Sequence, residues 1–564
     1  MLAARAIRFG LLTALAITAP ASAQSAAPHE HAAAAPLTTV AAWAKGAQLF
    51  DGLGDFHRRA TTSSSEAQRY FDQGMRLVWA FNHDEATRSF AKAAELDPRC
   101  AACFWGVALT LGPNYNMPMM SGERARVGWA ALASAQAMAK RASPVERALI
   151  AALARRYTGS VAIDPSNSAA PLSAYVTAMR DVAKRFPADG DVQTLLAEAL
   201  MNTNPWKLWN ADGTPGPGTP EIVALLRSTL AKYPLHPGAN HYLIHALEAS
   251  PRPGDAVAAA EALKGMMPAA GHLEHMPSHI MQRVGRYDEA AEANRKGAAA
   301  DLAYLRLTAP PDYYPMYLVH NFQFLAFAAA MDGRAAETIA AARDARRAMP
   351  DTMLVAMPGL DWSLGYLYEG LLRFGRWDEM LAESAPDPQL IGLTLSYLQS
   401  RAVALAATGK VSEAEAAAAA ADAVIAGVAV TATQGMNAAR PLYSIGQLKA
   451  RARIAAAKGR SDETIALLQQ AVGIEDGLAY NEPEDTFFPV RHLLGAELLK
   501  AGRASEAEAV FRADLVRHPA NGWALHGLAG ALAKQGKADE AASAAAELSK
   551  VWSRSDVRLT AAAF

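Results

Sequence analysis

The sequence predicts an all-α protein, an array of short antiparallel helix pairs. Three observations carry that prediction. A turn of the form Gly, Arg or Lys, two variable residues, then Glu recurs seven times. The composition is 51% hydrophobic and 19% charged, rich in alanine, with proline and glycine at intervals, which suits short helices between tight turns. Histidines fall in pairs four apart, His241/His245 and His275/His279, and the second pair lies 34 residues after the first. Four residues is one helical turn, so each pair projects from one helix face. A period near 34 is that of a two-helix repeat.

In chain order, residues 1–23 read as an export signal. Arg5 and Arg8 form a basic start, Phe9 to Thr18 is a short apolar stretch, and Ala21-Ser22-Ala23 fits the small-x-small cleavage rule. The expected cut follows Ala23. The apolar stretch is too short to span a bilayer, and no later stretch is long enough without charge. The expected mature chain is therefore exported, periplasmic or secreted, without a transmembrane segment. Residues 24–60 read as a disordered or irregular leader, Ala/Ser/Pro-rich at first and carrying His29-Glu30-His31. Cys100 and Cys103 are the two cysteines. Their C-x-x-C spacing suits a redox pair, half a soft-metal site or a local staple, and Phe104 in the following position excludes covalent haem.

The first full unit is Ala67–Pro98. Gly74 on its first helix and Ala86 and Ala93 on its second permit close approach, Phe90 fills the gap, and Pro98 ends the second helix. The same grammar returns at 285–290 (Gly-Arg-Tyr-Asp-Glu-Ala), 333–338, 375–380, 409–414, 459–464, 502–507 and 536–541. Each is a Gly-ended helix, a polar turn and an acidic helix start. Across most of residues 67–552 this resembles the tetratricopeptide repeat. The resemblance implies a right-handed α-α superhelix with first helices lining a concave face, here divided into 61–350 and 351–564. It also implies protein-interaction scaffolding as the default role. Residues 111–143, 205–220, 301–318 and 428–444 break the period and read as inserts; long loops of this kind are often functional.

In that register His241, His245, His275 and His279 take positions 5 and 9 of first helices, and His272 and His320 take position 2. His492 and His526 take position 5. Eight of the 14 histidines thus map to positions that the resemblance turns toward the groove. Glu248 and Gln282 take position 12. Two imidazoles one turn apart can share a metal, and a third ligand from the next helix with a nearby carboxylate completes a shell. The candidate metal ligands are His241, His245, His272, His275, His279, His320 and Glu248; neutral imidazole suits Zn, Cu, Ni or Fe. Trp206, Trp209, Tyr313, Tyr314 and Tyr317 on the inserts are candidates to wall a pocket over them. Met117, Met119 and Met120 are thioethers suited to packing or to Cu(I). Glu482, Glu484 and Asp485 read as a helix-entry acidic run.

Charge is balanced, 54 Lys+Arg against 55 Asp+Glu, which gives no basic excess for nucleic acid or anionic membrane. Tyr242 follows His241, so the zinc-peptidase His-Glu pattern is absent. No Gly-rich phosphate loop and no Ser-His-Asp order stands out. The leading expectation is binding of a transition metal, with a peptide or small molecule in the same groove. A metal-dependent enzyme, hydrolytic or oxidative, and a metal-free interaction scaffold are the alternatives.

Overall fold

Helix pairs follow from the spacing of glycine and phenylalanine. The computed structural model describes residues 37–308, 314–356 and 359–563. The expected signal 1–23, leader residues 24–36 with His29 and His31, and Tyr313 lie outside them. Phe90 sits between Gly74 and Gly106, and a Cβ at either glycine would collide with its ring; Phe511 sits in the same way between Gly495 and Gly527. Ser65–Trp79 packs on His83–Leu96, Ile391–Ala407 on Val411–Gly427, and Gly522–Lys534 on Ala538–Val551. The turn glycines of all seven repeated motifs have φ of 65–79°. At Gly409 nothing crowds a Cβ, so the left-handed backbone alone calls for glycine there. Asp288 and Glu289, and likewise Asp462 and Glu463, occupy first turns, where the helix dipole favours them.

The described residues are all-α apart from irregular joints, two isolated bridges and one antiparallel ribbon. In that ribbon Thr433 lies opposite Ala438 and Gln434 opposite Asn437. Part of the expected inserts is helical: 301–307 continue the helix Tyr287–Leu307, Pro315–Met331 begins inside 301–318, and Gly122–Met138 lies inside 111–143. Among the described residues no helix is long and apolar enough to cross a membrane.

The array folds back on itself. Residues 45–64 lie against the first pair: the Phe50 amide donates to Gln73 Oε1 at 2.7 Å, and Arg76 Nε donates to the Phe56 carbonyl at 2.7 Å. The Ala269 amide reaches Gly52 O at 2.9 Å. At the far end Trp523 Nε1 donates to Ala330 O at 2.8 Å, and the amides of Ala335 and Ala336 donate to Asp556 at 2.7 and 2.9 Å. Residues from Leu37 onward form one compact unit.

A buried ion cluster fixes the segment before Val490–Lys500. His518 contacts Glu484 Oε1 at 2.9 Å and Asp514 Oδ1 at 3.1 Å, while His492 contacts Asp514 Oδ2 at 2.8 Å. Arg373 lies 2.8 Å from His492 Nδ1 and stacks 3.7 Å over Trp523. Burial disfavours a charged His518, yet Glu484 and Asp514 outweigh it and hold the imidazole up to about 10. A raised folded pKa gives stability that is fully present below the ordinary value of about 6.5 and lost as pH rises through about 10. His518→Gln is expected to cost about 3 kcal/mol at pH 6, because two buried carboxylates lose their cation. Thermal melts from pH 6 to 10 check it: the gap from the parent should shrink as pH rises, and a constant gap contradicts the assignment.

Candidate metal centre

Close backbone contact delivers the histidines to one place. His241 and His245 lie on helix Pro237–Leu247, with Glu248 as its C-cap. His272 and His275 lie on Gly271–His275, His279 on Pro277–Arg283, and His320 on Pro315–Met331. Met276 keeps helical angles between the two short helices, so the one-turn spacing of His275 and His279 survives Pro277. A Cβ at Gly238 would collide with Trp79, and one at Gly271 with Asp301. These contacts bring His241 Nδ1 to 2.6 Å from the Trp79 carbonyl. The structure thus gathers all six predicted histidines and Glu248. The rings are more enclosed than a groove surface implies: His241, His275 and His279 are wholly buried, His245 and His272 nearly so, and His320 is half-buried.

The hydrogen bonds decide which nitrogens are free. The Trp79 carbonyl only accepts, so His241 carries its proton on Nδ1 and presents a bare Nε2. His245 Nδ1 donates to Glu248 Oε1 at 2.9 Å, and its Nε2 is buried with no partner. Asn294 Nδ2 donates to Ala290 O, which turns Oδ1 toward His275 Nδ1 at 2.6 Å. His275 therefore also presents Nε2. His279 Nδ1 lies 2.5 Å from both Glu248 Oε2 and Glu482 Oε2. An acceptor on one ring nitrogen and a lone pair on the other is the arrangement that metal-ligating histidines show.

The lone pairs converge. His241 Nε2 and His272 Nε2 are 3.2 Å apart, and His275 Nε2 and His279 Nε2 are 2.6 Å apart. Two nitrogens on one tetrahedral ion, each at about 2.0–2.1 Å, lie roughly 3.3 Å from each other. Three sets of ligand atoms among the described residues fall within 4.8 Å of one another: His241/His245/His272, His275/His279/His320 and His245/Glu248/Glu482. The third set joins the first two, because Glu248 and Glu482 both face His279.

Electrostatics keep most of the rings neutral. Burial, reinforced by neighbouring rings, holds His241, His272 and His275 well below the ordinary histidine value. Burial pulls His245 and His320 down to about 3. His279 is the exception: burial opposes its charge, but Glu482 and Glu248 raise it to about 10. Glu482 is itself pushed up by burial and by Glu248 beside it. The 2.6 Å separation of His275 Nε2 and His279 Nε2 fits a hydrogen bond from a charged His279 to a neutral His275.

Glu482 corrects the sequence expectation of an acidic helix entry. Its carboxylate reaches the histidines, Glu484 holds His518, and Asp485 accepts from Asn437 and Asn481 at 2.7 and 2.8 Å. His492 belongs to the ion cluster described above. His526 is half-buried. Gln282 is buried. Cys100 and Cys103 are joined in a disulfide at the start of helix Ala101–Leu111, which removes them as thiolate ligands.

A cavity of 680 Å³ opens on His245, His272, His279 and His320. Trp206 and Tyr317 line it, as two of the insert aromatics were expected to, and Met117, Met119 and Met120 line it as well. Trp209 instead donates to Ala246 O, and Tyr314 donates to Asp301 at 2.8 Å.

Phe81 was missed. It occupies the turn position held by glycine in the repeated motifs, with φ of 54°. Its ring packs on His241 at 4.5 Å and stacks on His245 and His272, both at 5.6 Å. The available signal was its place in the register: Phe-Asn-His-Asp-Glu-Ala at 81–86 aligns with Gly-Arg-Tyr-Asp-Glu-Ala at 285–290. A bulky residue in left-handed backbone is strained, and such strain clusters at functional sites.

The helix pairs, their turn glycines and the Phe-filled gaps decide the architecture. The chain is tetratricopeptide-like in fold. No known family profile matches it, and no curated protein is recognisably similar to it. Solved structures similar to this tetratricopeptide-like chain include the human IFIT1 dimer with m7Gppp-AAAA, at 11% identity over 92% of this chain and 98% of that one, TM-score 0.31. Yeast Tom70 aligns at 10% identity over 84% and 90%, TM-score 0.27. The APC/C hetero-tetramer Cut9-Hcn1 aligns at 10% identity over 73% and 80%, TM-score 0.29. Such scores carry nothing about the histidine centre.

Phe81→Gly relieves about 1–3 kcal/mol of backbone strain but removes a ring whose loss costs about 3–5 kcal/mol. The expected net loss is roughly 2 kcal/mol by urea unfolding. A stabilised variant would show that the ring does not support the histidines.

Proposed function

We propose that this protein binds transition-metal ions at the histidine centre and holds a small molecule in the adjoining cavity. One ion is taken by His241, His245 and His272. A second is taken by His275, His279 and His320, with Glu248 and Glu482 between the two. The observation that carries this reading is the orphaned Nε2 of His245, a buried lone pair set among others that face one another. Leaving such a nitrogen without a partner costs free energy that a bound cation removes. Zn, Cu, Ni and Fe all suit a neutral imidazole set. A metal-dependent enzyme is the second reading. It is favoured by the cavity, which brings an incoming molecule directly against the ligand rings and Glu482.

We also place the chain in an exported, oxidising compartment. The signal-like residues 1–23 and the Cys100–Cys103 disulfide support that placement.

The test is elemental analysis after loading with Zn(II) or Cu(II) and dialysis. Two ions per chain are expected, with a raised Tm. His320→Gln, at the half-buried ligand, should drop the count to one while near-UV circular dichroism stays unchanged. Asn294→Ala removes the acceptor behind His275 and should weaken binding by about 10–100-fold. A chain that retains no metal, and whose Tm does not move when metal is added, defeats the reading and leaves a metal-free scaffold.

A further inference from the structure

The 680 Å³ cavity has a chemistry of its own. Its size falls within the roughly 300–1,000 Å³ of small-molecule sites. Thioethers of Met117, Met120 and Met316 and the rings of Phe81 and Trp206 form its walls. Methionine adapts to the shape of an apolar guest, and aromatic faces stack on flat ones. Met119 and Asp164, both exposed, mark the side open to solvent.

Two of the charged groups on the wall are already engaged. Arg124 pairs with Asp84 at 2.7 Å, and Glu482 lies against His279. An anionic guest would enter beside the Glu482 carboxylate without a counter-charge of its own, and burying an unpaired charge is costly. Neutral hydrogen-bonding groups, in contrast, are unmatched. Gln323 Nε2, Asn116 Oδ1 and both ring nitrogens of His83 are buried without partners, and all three residues belong to the cavity wall. His83 and Gln323 are 4% and 6% exposed, so bulk water does not satisfy them.

We infer that the cavity binds a neutral, compact organic molecule with a flat apolar body and a hydroxyl or carbonyl group. The body lies among the methionines and aromatic rings. The polar group meets Gln323, Asn116 or His83 at one side and faces the ligand histidines at the other. Only that last contact rests on the metal reading; the size, wall chemistry and unmatched polar atoms do not.

The probe is 2-naphthol, with 2-naphthoate as its anionic counterpart. Each is titrated calorimetrically into the full chain, once metal-loaded and once treated with EDTA, with metal content measured on the same samples. The inference expects one 2-naphthol per chain in both forms, and naphthoate weaker by more than about tenfold in the EDTA-treated form. Met316→Trp, which fills the cavity, should abolish binding with metal content unchanged; Met119→Trp, at the exposed side, serves if the first variant unfolds. Absence of 2-naphthol binding, or equal binding of the anion by the EDTA-treated chain, overturns the inference even if metal is retained. Binding of 2-naphthol to a chain that never takes metal upholds the inference and removes the metal reading instead.

Discussion

Buried imidazoles whose Nδ1 protons are committed outward, and whose Nε2 lone pairs therefore point inward, are the constraint on which this structure depends. The Trp79 carbonyl, Glu248 and the Asn294 amide each fix one ring. Like lone pairs facing one another in a dry interior repel unless a proton or a metal lies between them. Gly238 and Gly271 permit the backbone approach that this convergence needs, and the strained turn at Phe81 supplies the ring that backs it.

Enclosure does the rest. Helix pairs alone would leave the histidines on an open concave face, where water would satisfy each ring separately. Residues 45–64 cover the first pair from one side. The segment carrying Glu482 arrives from another, held by Glu484 on His518. Low local dielectric then strengthens every interaction among the rings, the carboxylates and any bound cation. The largely apolar cavity on the same rings gives a small molecule access to the centre.

Much of this was legible in the sequence because it is local or periodic. Gly74 with Phe90 announced the helix pair, the repeated Gly turns announced the left-handed caps, and His241/His245 and His275/His279 announced their shared faces through the four-residue spacing. Their 34-residue offset placed them on neighbouring helices. Glu482 was not legible: it meets His279 across 203 residues, through a fold-back that no local pattern encodes. Phe81 was legible only as an exception, a bulky residue standing where the repeat wants glycine. Asn294 and Trp79 act through an amide and a backbone carbonyl, and neither leaves a signature in residue type.

Anomalous diffraction from crystals of metal-loaded protein, collected above and below the metal absorption edge, tests the central claim most directly. The account requires two peaks inside the fold, one about 2.0–2.2 Å from Nε2 of His241 and His245 and the other at that distance from Nε2 of His275 and His279. Peaks confined to the surface, or an interior with ordered water in place of metal between those nitrogens, would contradict it.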